Sequence, residues 1–310
     1  MTAPLRVALP DQKLLAALEP AAGVEFLLWD FSGPAPAERF DIVVPPYMRG
    51  PEVLKALKSV DIGLIQSQSI GYDGVADILP SGCLFANAAS VHETSTAELA
   101  LGMMIASQRG MADFARNQST GTWDNGHRPS LADRRVLLVG FGGVGKAIEA
   151  RLLPFETSVT RMASREREDA GGRIFGIDAL YEQLPLHDIV VVSVPLSEQT
   201  RQLVDAKFLA AMPDGALLVN VARGPVADTD ALLAETSSGR LRAALDVTDP
   251  EPLPADHPLW TTPGVLITPH VGGASSAMFP RMVRLIKQQI ALMLEGKEPV
   301  NVVLGGPARS

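Results

Sequence analysis

Three side chains of complementary chemistry follow three successive apolar runs in the second half of the chain. Arg223 stands in Asn220-Val-Ala-Arg223-Gly224, after the run at 216–221. Glu251 stands in Asp246-Val-Thr-Asp-Pro-Glu251-Pro252, after the run at 241–245. His270 stands in Thr268-Pro269-His270, after the run at 265–267. If those runs are strands, all three residues lie where open α/β sheets bind ligands, beyond the strands' carboxyl ends. A guanidinium grips a carboxylate through two parallel hydrogen bonds. An imidazole gives a proton to a forming alkoxide or takes one back. A carboxylate beside it holds one tautomer and favours the protonated ring. Each residue alone has an ordinary structural role open to it: ion pair, loop acid or helix cap. Placed together beside a nicotinamide, they suit carbonyl reduction.

A site for that nicotinamide is written upstream. The apolar run Val136–Val139 leads straight into Gly140-Phe-Gly142-Gly143-Val144-Gly145, and the helix-forming stretch from Lys146 to Leu153 follows. Strand, glycine turn and helix in this order form the dinucleotide-binding fingerprint. The first glycine allows the tight turn, the second lets the backbone approach a pyrophosphate, and the third lets helix and strand pack closely. The pyrophosphate then sits on the helix N-terminus. An NAD-binding domain of this kind places an acid about 20 residues further on, to bind the ribose 2′-hydroxyl. Here Ala163 takes that place and Ser164-Arg165 follow. A carboxylate repels a 2′-phosphate, whereas Ser and Arg bind one, so NADP is the expected cofactor, with NAD the alternative. Arg161 lies inside the preceding strand and can point to either face. Arg165 also opens a charged run, Arg165-Glu-Arg-Glu-Asp169, which reads as a solvated loop.

These motifs need a framework. The fingerprint begins near residue 136 of 310, so another domain precedes it. The first hundred residues alternate strand and helix: strands at Leu5–Leu9, Val24–Trp29, Asp41–Val44, Ile62–Gln66 and Leu84–Ala86, helices at Gln12–Leu18 and Pro51–Ser59. Alternation of this kind implies a parallel sheet covered by helices. An apolar helix follows from Thr96 to Ser107, with Ser95 and Glu98 as a capping box. A second rhythm supplies six strands, at 136–139, 158–162, 189–194, 216–221, 241–245 and 265–267, the count of a full dinucleotide-binding sheet. A last helix is expected at about Met282–Glu295, after which Pro299–Val303 returns to the first domain.

Composition narrows the class. With 46% apolar and 20% charged residues, the chain is globular. No apolar run reaches the roughly 18 residues of a membrane helix, and no secretory signal is expected. A single cysteine, Cys83, excludes an internal disulfide and fits a cytoplasmic location; its flanks read as strand and its thiol as inert. The net charge of −8 argues against nucleic acid as a partner. His92, His127, His187 and His257 show no metal-ligand spacing, so no metal is expected. His187 reads as solvated, and His257 as structural. Ser193 and Ser197 lack the turn of a catalytic serine. Trp123, in the polar arm Thr122-Trp-Asp-Asn-Gly126, reads as a packing or interface residue, and the apolar helix before it suggests a homodimer. Tyr47, Met48 and Arg49 follow an early strand and can wall a substrate pocket.

Nearly the whole chain resembles the D-isomer-specific 2-hydroxyacid dehydrogenase family. The motifs Asn-Val-Ala-Arg-Gly at 220–224, Ala-Leu-Asp-Val with Glu-Pro at 244–252, Pro-Leu-Trp at 258–260 and Thr-Pro-His at 268–270 match in order. Ile70-Gly71-Tyr-Asp73 is similar to the family's substrate-binding turn, and Asn87 followed by Thr96-Ala-Glu98-Leu resembles the segment leading into its interdomain helix. The resemblance implies a Rossmann-type doubly wound parallel sheet at 96–275. It implies a second, flavodoxin-like α/β substrate domain that is discontinuous, at 1–95 and 276–310. Arg223 becomes the carboxylate anchor, His270 the acid/base and Glu251 its partner. Ile70 and Gly71 offer backbone N–H groups to the substrate. Thr96 and Asp246 lie near the nicotinamide, and the expected cofactor contacts extend to Val194, Pro195, Ala222, Gly272 and Gly273 as well as Arg223 and His270. The implied activity is reduction of a small 2-keto acid to the D-2-hydroxy acid with NAD(P)H, NADPH preferred. Glyoxylate or hydroxypyruvate is the expected substrate. A nucleotide-sensing corepressor, or a phosphite- or formate-type dehydrogenase, is the alternative; the formate branch usually carries Gln where Glu251 stands.

Overall fold

The computed structural model describes residues 3–305. The chain forms two compact units, Met1–His92 with Ser276–Ser310, and Glu93–Ser275. The first opens with β1 (Leu5–Leu9), α1 (Gln12–Leu18), β2 (Val24–Leu28), β3 (Arg39–Val43), β4 (Asp61–Gln66) and β5 (Leu84–Ala86). Asp11 starts α1 by accepting the Leu14 N–H at 2.9 Å. These five strands pair in parallel. The segment expected to be helical from Pro51 to Ser59 is a 3-10 helix over Pro51–Leu57. Cys83 lies just before β5 rather than within it; it is buried, its Sγ donates to the Pro80 carbonyl at 3.1 Å, and burial pushes the thiol pKa up.

The second unit begins with α2 (Glu93–Arg109) and α3 (Met111–Thr120). It continues through β6 (Arg135–Val139), α4 (Gly143–Leu152), β7 (Ser158–Ala163), β8 (Arg167–Asp169), β9 (Gly172–Gly176) and the short α5 (Leu180–Gln183). It ends with β10 (Ile189–Val192), α6 (Ala206–Ala211), β11 (Leu217–Asn220), α7 (Thr229–Ser237), β12 (Arg242–Leu245) and β13 (Val265–Ile267). The sheet order is β13-β12-β11-β10-β6-β7-β9-β8. The chain winds outward from β6 in both directions, so the order reverses between β6 and β10, where doubly wound sheets bind dinucleotides. Both faces are covered. Val136, Leu138, Ile189, Val191, Leu217 and Val219 pack with α2 and α4. Leu137, Val139, Val190, Val192 and Leu218 alternate with them and pack on the other side, with Phe208 and Leu232. That two-sided burial is why these strands read as unbroken apolar runs.

Three expectations for this unit need correction. The sheet has eight strands rather than six, because β8 and β9 form an antiparallel hairpin at its edge. Strand β8 is Arg-Glu-Asp, all exposed, so no apolar residue announced it. The capping box is absent: α2 starts at Glu93, and Ser95 lies inside it with its hydroxyl 2.6 Å from that of Ser275. His187 is not solvated. It is buried under the sheet, with Nδ1 2.7 Å from the Gln183 carbonyl and Nε2 2.8 Å from the Thr160 hydroxyl. Burial, reinforced by Arg135, lowers its pKa, against smaller opposing effects of Gln183 and Asp188.

The chain then returns to the first unit as α8 (Met278–Leu294) and β14 (Val302–Leu304). Helix α8 starts four residues before the expected Met282. Pro280 falls in its first turn, where a missing N–H costs nothing. Strand β14 pairs antiparallel with β5, giving the order β14-β5-β4-β3-β1-β2. The parallel part is the flavodoxin-like order. The fully buried Gln289 ties the returning segment down. Its Nε2 donates to Gln66 Oε1 at 2.7 Å and the Val300 carbonyl at 2.8 Å, and its Oε1 accepts the Val300 N–H at 3.0 Å.

Candidate active site

The fingerprint loop has the form its glycines suggest. Gly140 sits at φ +105°, and a Cβ there falls 2.8 Å from the Ser193 backbone. A Cβ on Gly145 overlaps the Gly140 carbonyl oxygen, so the third glycine lets α4 sit against β6. A Cβ on Gly142 meets nothing within 4 Å, which leaves that stretch of backbone open to a ligand. Gly142 is the N-cap of α4, and Gly143, Val144 and Gly145 form its first turn. First-turn N–H groups have no intrahelical acceptors, so they attract a phosphate. The Ser193 hydroxyl donates to the Gly140 carbonyl at 2.8 Å and ties the loop after β10 to the loop after β6. That loop continues through Val194 to Pro195, whose carbonyl accepts the Thr200 hydroxyl at 2.6 Å. Ala163 ends β7, and Ser164 and Arg165 follow it, both exposed. An open glycine turn, a helix N-terminus and no acid at the strand end fit a dinucleotide, including one with a ribose phosphate.

The three chemically complementary residues follow β11, β12 and β13, which are parallel neighbours. Asn220, buried at the end of β11, folds the turn that presents Arg223. Its Oδ1 accepts the Ala222 N–H at 3.0 Å, and its Nδ2 donates to the Arg223 carbonyl at 3.2 Å. The Arg223 Nη1 donates to the Ala222 carbonyl at 2.7 Å. Gly224 lies flush on the next loop, where a Cβ overlaps the Thr248 carbonyl. Only glycine lets the loops carrying Arg223 and Glu251 meet this closely.

Asp246, 3% exposed, organises the end of β13. Its Oδ1 accepts the Thr268 hydroxyl at 2.7 Å and the Val271 N–H at 2.9 Å; its Oδ2 accepts the Gly272 N–H at 2.9 Å. Thr96 lies against the same glycine, its side chain 3.3 Å from where a Gly272 Cβ stands. Gly273 follows, its carbonyl accepting the Ser275 N–H at 3.0 Å. Inside this frame His270 takes φ +52°, a left-handed conformation that is costly for a residue other than glycine. Its N–H donates to the Asp246 carbonyl at 2.7 Å. Its Nδ1 lies 2.6 Å from Glu251 Oε1, with both side chains partly exposed, 29% and 40%. The imidazole thus turns Nδ1 to a carboxylate and keeps Nε2 for another partner.

In the other unit, buried Asn87 shapes the turn at Ile70–Gly71. Its Nδ2 donates to the Ile70 carbonyl at 2.9 Å, and its Oδ1 accepts the Ala89 N–H at 3.1 Å. In a trans peptide the carbonyl and the following N–H point opposite ways, so the Gly71 N–H is aimed away from Asn87. His92 Nε2 lies 2.7 Å from the Gln68 carbonyl, and its ring stacks on Tyr47, so it is a packing residue. Met48 sits at φ +60°, with Arg49 after it. The framework residues Asn87, Asn220 and Ser193 were not assigned these contacts from sequence. An asparagine ending an apolar run is the signal that marks the first two.

The remaining histidines are elsewhere. His257 caps a 3-10 turn, its Nδ1 accepting the Leu259 N–H at 3.2 Å, and His127 is exposed in the arm. Among the described residues no group of three His, Cys, Asp or Glu is placed to hold a metal, and no helix is long and apolar enough to cross a membrane.

The sequence profile of the D-isomer specific 2-hydroxyacid dehydrogenase, NAD binding domain, matches residues 101–272. A glyoxylate reductase of Thermofilum pendens is 30% identical over 266 residues, covering 81% of this chain and 77% of that one. The human glyoxylate reductase/hydroxypyruvate reductase is 29% identical over 306 residues, 91% of each chain. A D-isomer specific 2-hydroxyacid dehydrogenase from Xanthobacter autotrophicus Py2, solved with NADPH and MES, superposes with a TM-score of 0.83 at 27% identity over 98% of both chains. The fingerprint at the sheet's switch point and the paired His270 and Glu251 stand within that match, and the chain belongs to the D-isomer specific 2-hydroxyacid dehydrogenase family, an oxidoreductase that uses a nicotinamide cofactor.

Proposed function

We propose that the chain reduces a small 2-keto acid of the glyoxylate or hydroxypyruvate kind to its D-2-hydroxy acid, with NADPH preferred over NADH. The observation that carries the reading is the 2.6 Å contact of His270 Nδ1 with Glu251, on the strand end next to the loop that bears Arg223. The bound nicotinamide supplies the hydride. Arg223 grips the substrate carboxylate through its guanidinium fork. His270 gives the proton from Nε2 to the carbonyl oxygen as it becomes an alkoxide, and Glu251 holds Nδ1–H so that Nε2 faces the substrate. In the other unit, the Ile70 and Gly71 peptides carry N–H donors of the kind a carboxylate takes. The names of the glyoxylate and hydroxypyruvate reductases among the relatives favour this substrate class.

Three residues support NADPH. Ala163 replaces the ribose-binding acid, and Ser164 and Arg165 follow it, exposed. A panel of 2-keto acids run reductively with each cofactor tests the reading. Turnover of glyoxylate or hydroxypyruvate, faster with NADPH, is the expected result. A faster rate with NADH overturns the cofactor assignment, and turnover of only long or branched keto acids overturns the substrate class. We also infer a homodimer: α3 has no buried residue, and Met111 and Trp123 stand exposed, the latter at 93%. Light scattering at about 33 kDa, the mass of one chain, contradicts it.

A further inference from the structure

The turn after β4 is held by its carbonyls. Four in succession are taken by donors of the same unit. Gln66 Nε2 donates to the Ser67 carbonyl at 2.8 Å, His92 Nε2 to that of Gln68 at 2.7 Å, the Ala88 N–H to that of Ser69 at 2.9 Å, and Asn87 Nδ2 to that of Ile70 at 2.9 Å. The N–H group that follows each carbonyl points the opposite way. That of Ser69 donates to Ser67 Oγ at 3.0 Å. Those of Ile70 and Gly71 have no acceptor among the described residues. The turn is a rigid mount for two backbone donors.

Three of the four anchors belong to the sheet or to the residues next to it: Gln66 ends β4, and Asn87 and Ala88 follow β5 directly. His92 differs, because it also reaches a second loop. A carbonyl only accepts, so Nε2 carries the proton. The ring stacks on Tyr47, with centroids 5.7 Å and planes 12° apart. Gln68 closes the circuit from its own side, its Nε2 donating to the Pro45 carbonyl at 2.9 Å, just ahead of Tyr47 in the chain. Gln68 and His92 are 7% and 5% exposed, so these bonds are sheltered from water. The loop they tie to the turn is the one that carries the exposed Met48 and Arg49.

We propose that His92 is a positioning residue of the substrate site. Its Nε2–H fixes the Gln68 peptide, just ahead of the Ile70 and Gly71 donors that face the keto-acid carboxylate. Its ring sets the loop after β3 at a fixed distance from them. Losing the bond leaves a buried carbonyl unpaired and frees that peptide to turn. His92 therefore does more than fill space: it decides how tightly the carboxylate is held, without touching it. The proposal rests on the keto-acid reading above.

The test is steady-state kinetics of the full chain with glyoxylate and with hydroxypyruvate at saturating NADPH, with NADPH binding measured separately by fluorescence titration. His92→Phe keeps a flat ring against Tyr47 and loses the N–H. KM for both acids is expected to rise about 2–10-fold, the worth of one neutral hydrogen bond, with kcat and the NADPH dissociation constant held. A raised KM at constant kcat is the mark of lost ground-state binding. His92→Gln keeps an N–H donor and is expected to fall nearer the wild type. Wild-type KM in His92→Phe overturns the proposal. A loss of kcat or of NADPH affinity that matches any change in KM overturns it too, because His92 is then a prop for the fold. Gln68→Met cuts the tie to Pro45 and leaves the His92 bond in place, so it decides the matter if His92→Phe does not fold: a raised KM supports the proposal, and an unchanged one overturns it. If the wild type turns over no 2-keto acid, the keto-acid reading and this proposal fail together, and the family assignment is untouched.

Discussion

Nδ1 of His270 lies 2.6 Å from Oε1 of Glu251, although the two residues follow different strands and are 19 positions apart. The contact depends on Asp246. That buried carboxylate takes the Val271 and Gly272 N–H groups and the Thr268 hydroxyl, and so holds the turn in which His270 adopts its left-handed backbone. A strained residue held by its surroundings is a common device at catalytic sites.

Glu251→Gln keeps the shape of the side chain and removes its charge. The expected result is a fall in kcat of about 10²-fold, at the low end of what a positioned acid/base contributes, with NADPH affinity unchanged. Steady-state kinetics with a fluorescence titration of the cofactor read both. Wild-type kcat in this variant makes the contact with His270 incidental.

Arg223→Lys keeps a positive charge and loses the planar fork. We expect kcat/KM for the keto acid to fall about 10–100-fold, the scale of one lost charge-assisted hydrogen bond, while cofactor binding holds. If kcat/KM stays at the wild-type value, the carboxylate is bound elsewhere.

Much of this was legible in the sequence, for a physical reason. Strands buried on both faces must be apolar throughout, so β6, β10, β11 and β12 appeared as short apolar runs with ends right to within two residues. Glycines that face a backbone at close range cannot be replaced, so the fingerprint stood out. What escaped lacked such a signal. Strand β8 is wholly polar and is held by its pairing with β9. The burial of His187 depends on Thr160, 27 residues away, and no local pattern announces that partner. The Arg167 contact with Phe141 spans 26 residues and follows from the hairpin that was missed.

His187 should make the fold sensitive to mild acid. Burial holds its folded pKa below the ordinary value of 6.5. As pH falls through 6.5 the unfolded chain takes up a proton that the folded protein resists, so stability present above that pH is lost below it. Thermal melts at pH 7.5 and 5.5 should show His187→Gln less stable than wild type at the higher pH, with the gap narrowing at the lower. A constant gap places the titration elsewhere. Asp188 next to it titrates lower: the hydrogen bond from Arg135 holds its carboxyl below the usual range, so its effect lies outside this window.

The central claim is that His270 is the proton donor to the substrate oxygen, and kcat of His270→Ala tests it most directly. With NADPH and the better of glyoxylate and hydroxypyruvate, kcat is predicted to drop about 10²–10⁴-fold, while the dissociation constant for NADPH, measured without keto acid, stays at the wild-type value. A variant that turns over at close to the wild-type kcat contradicts the account.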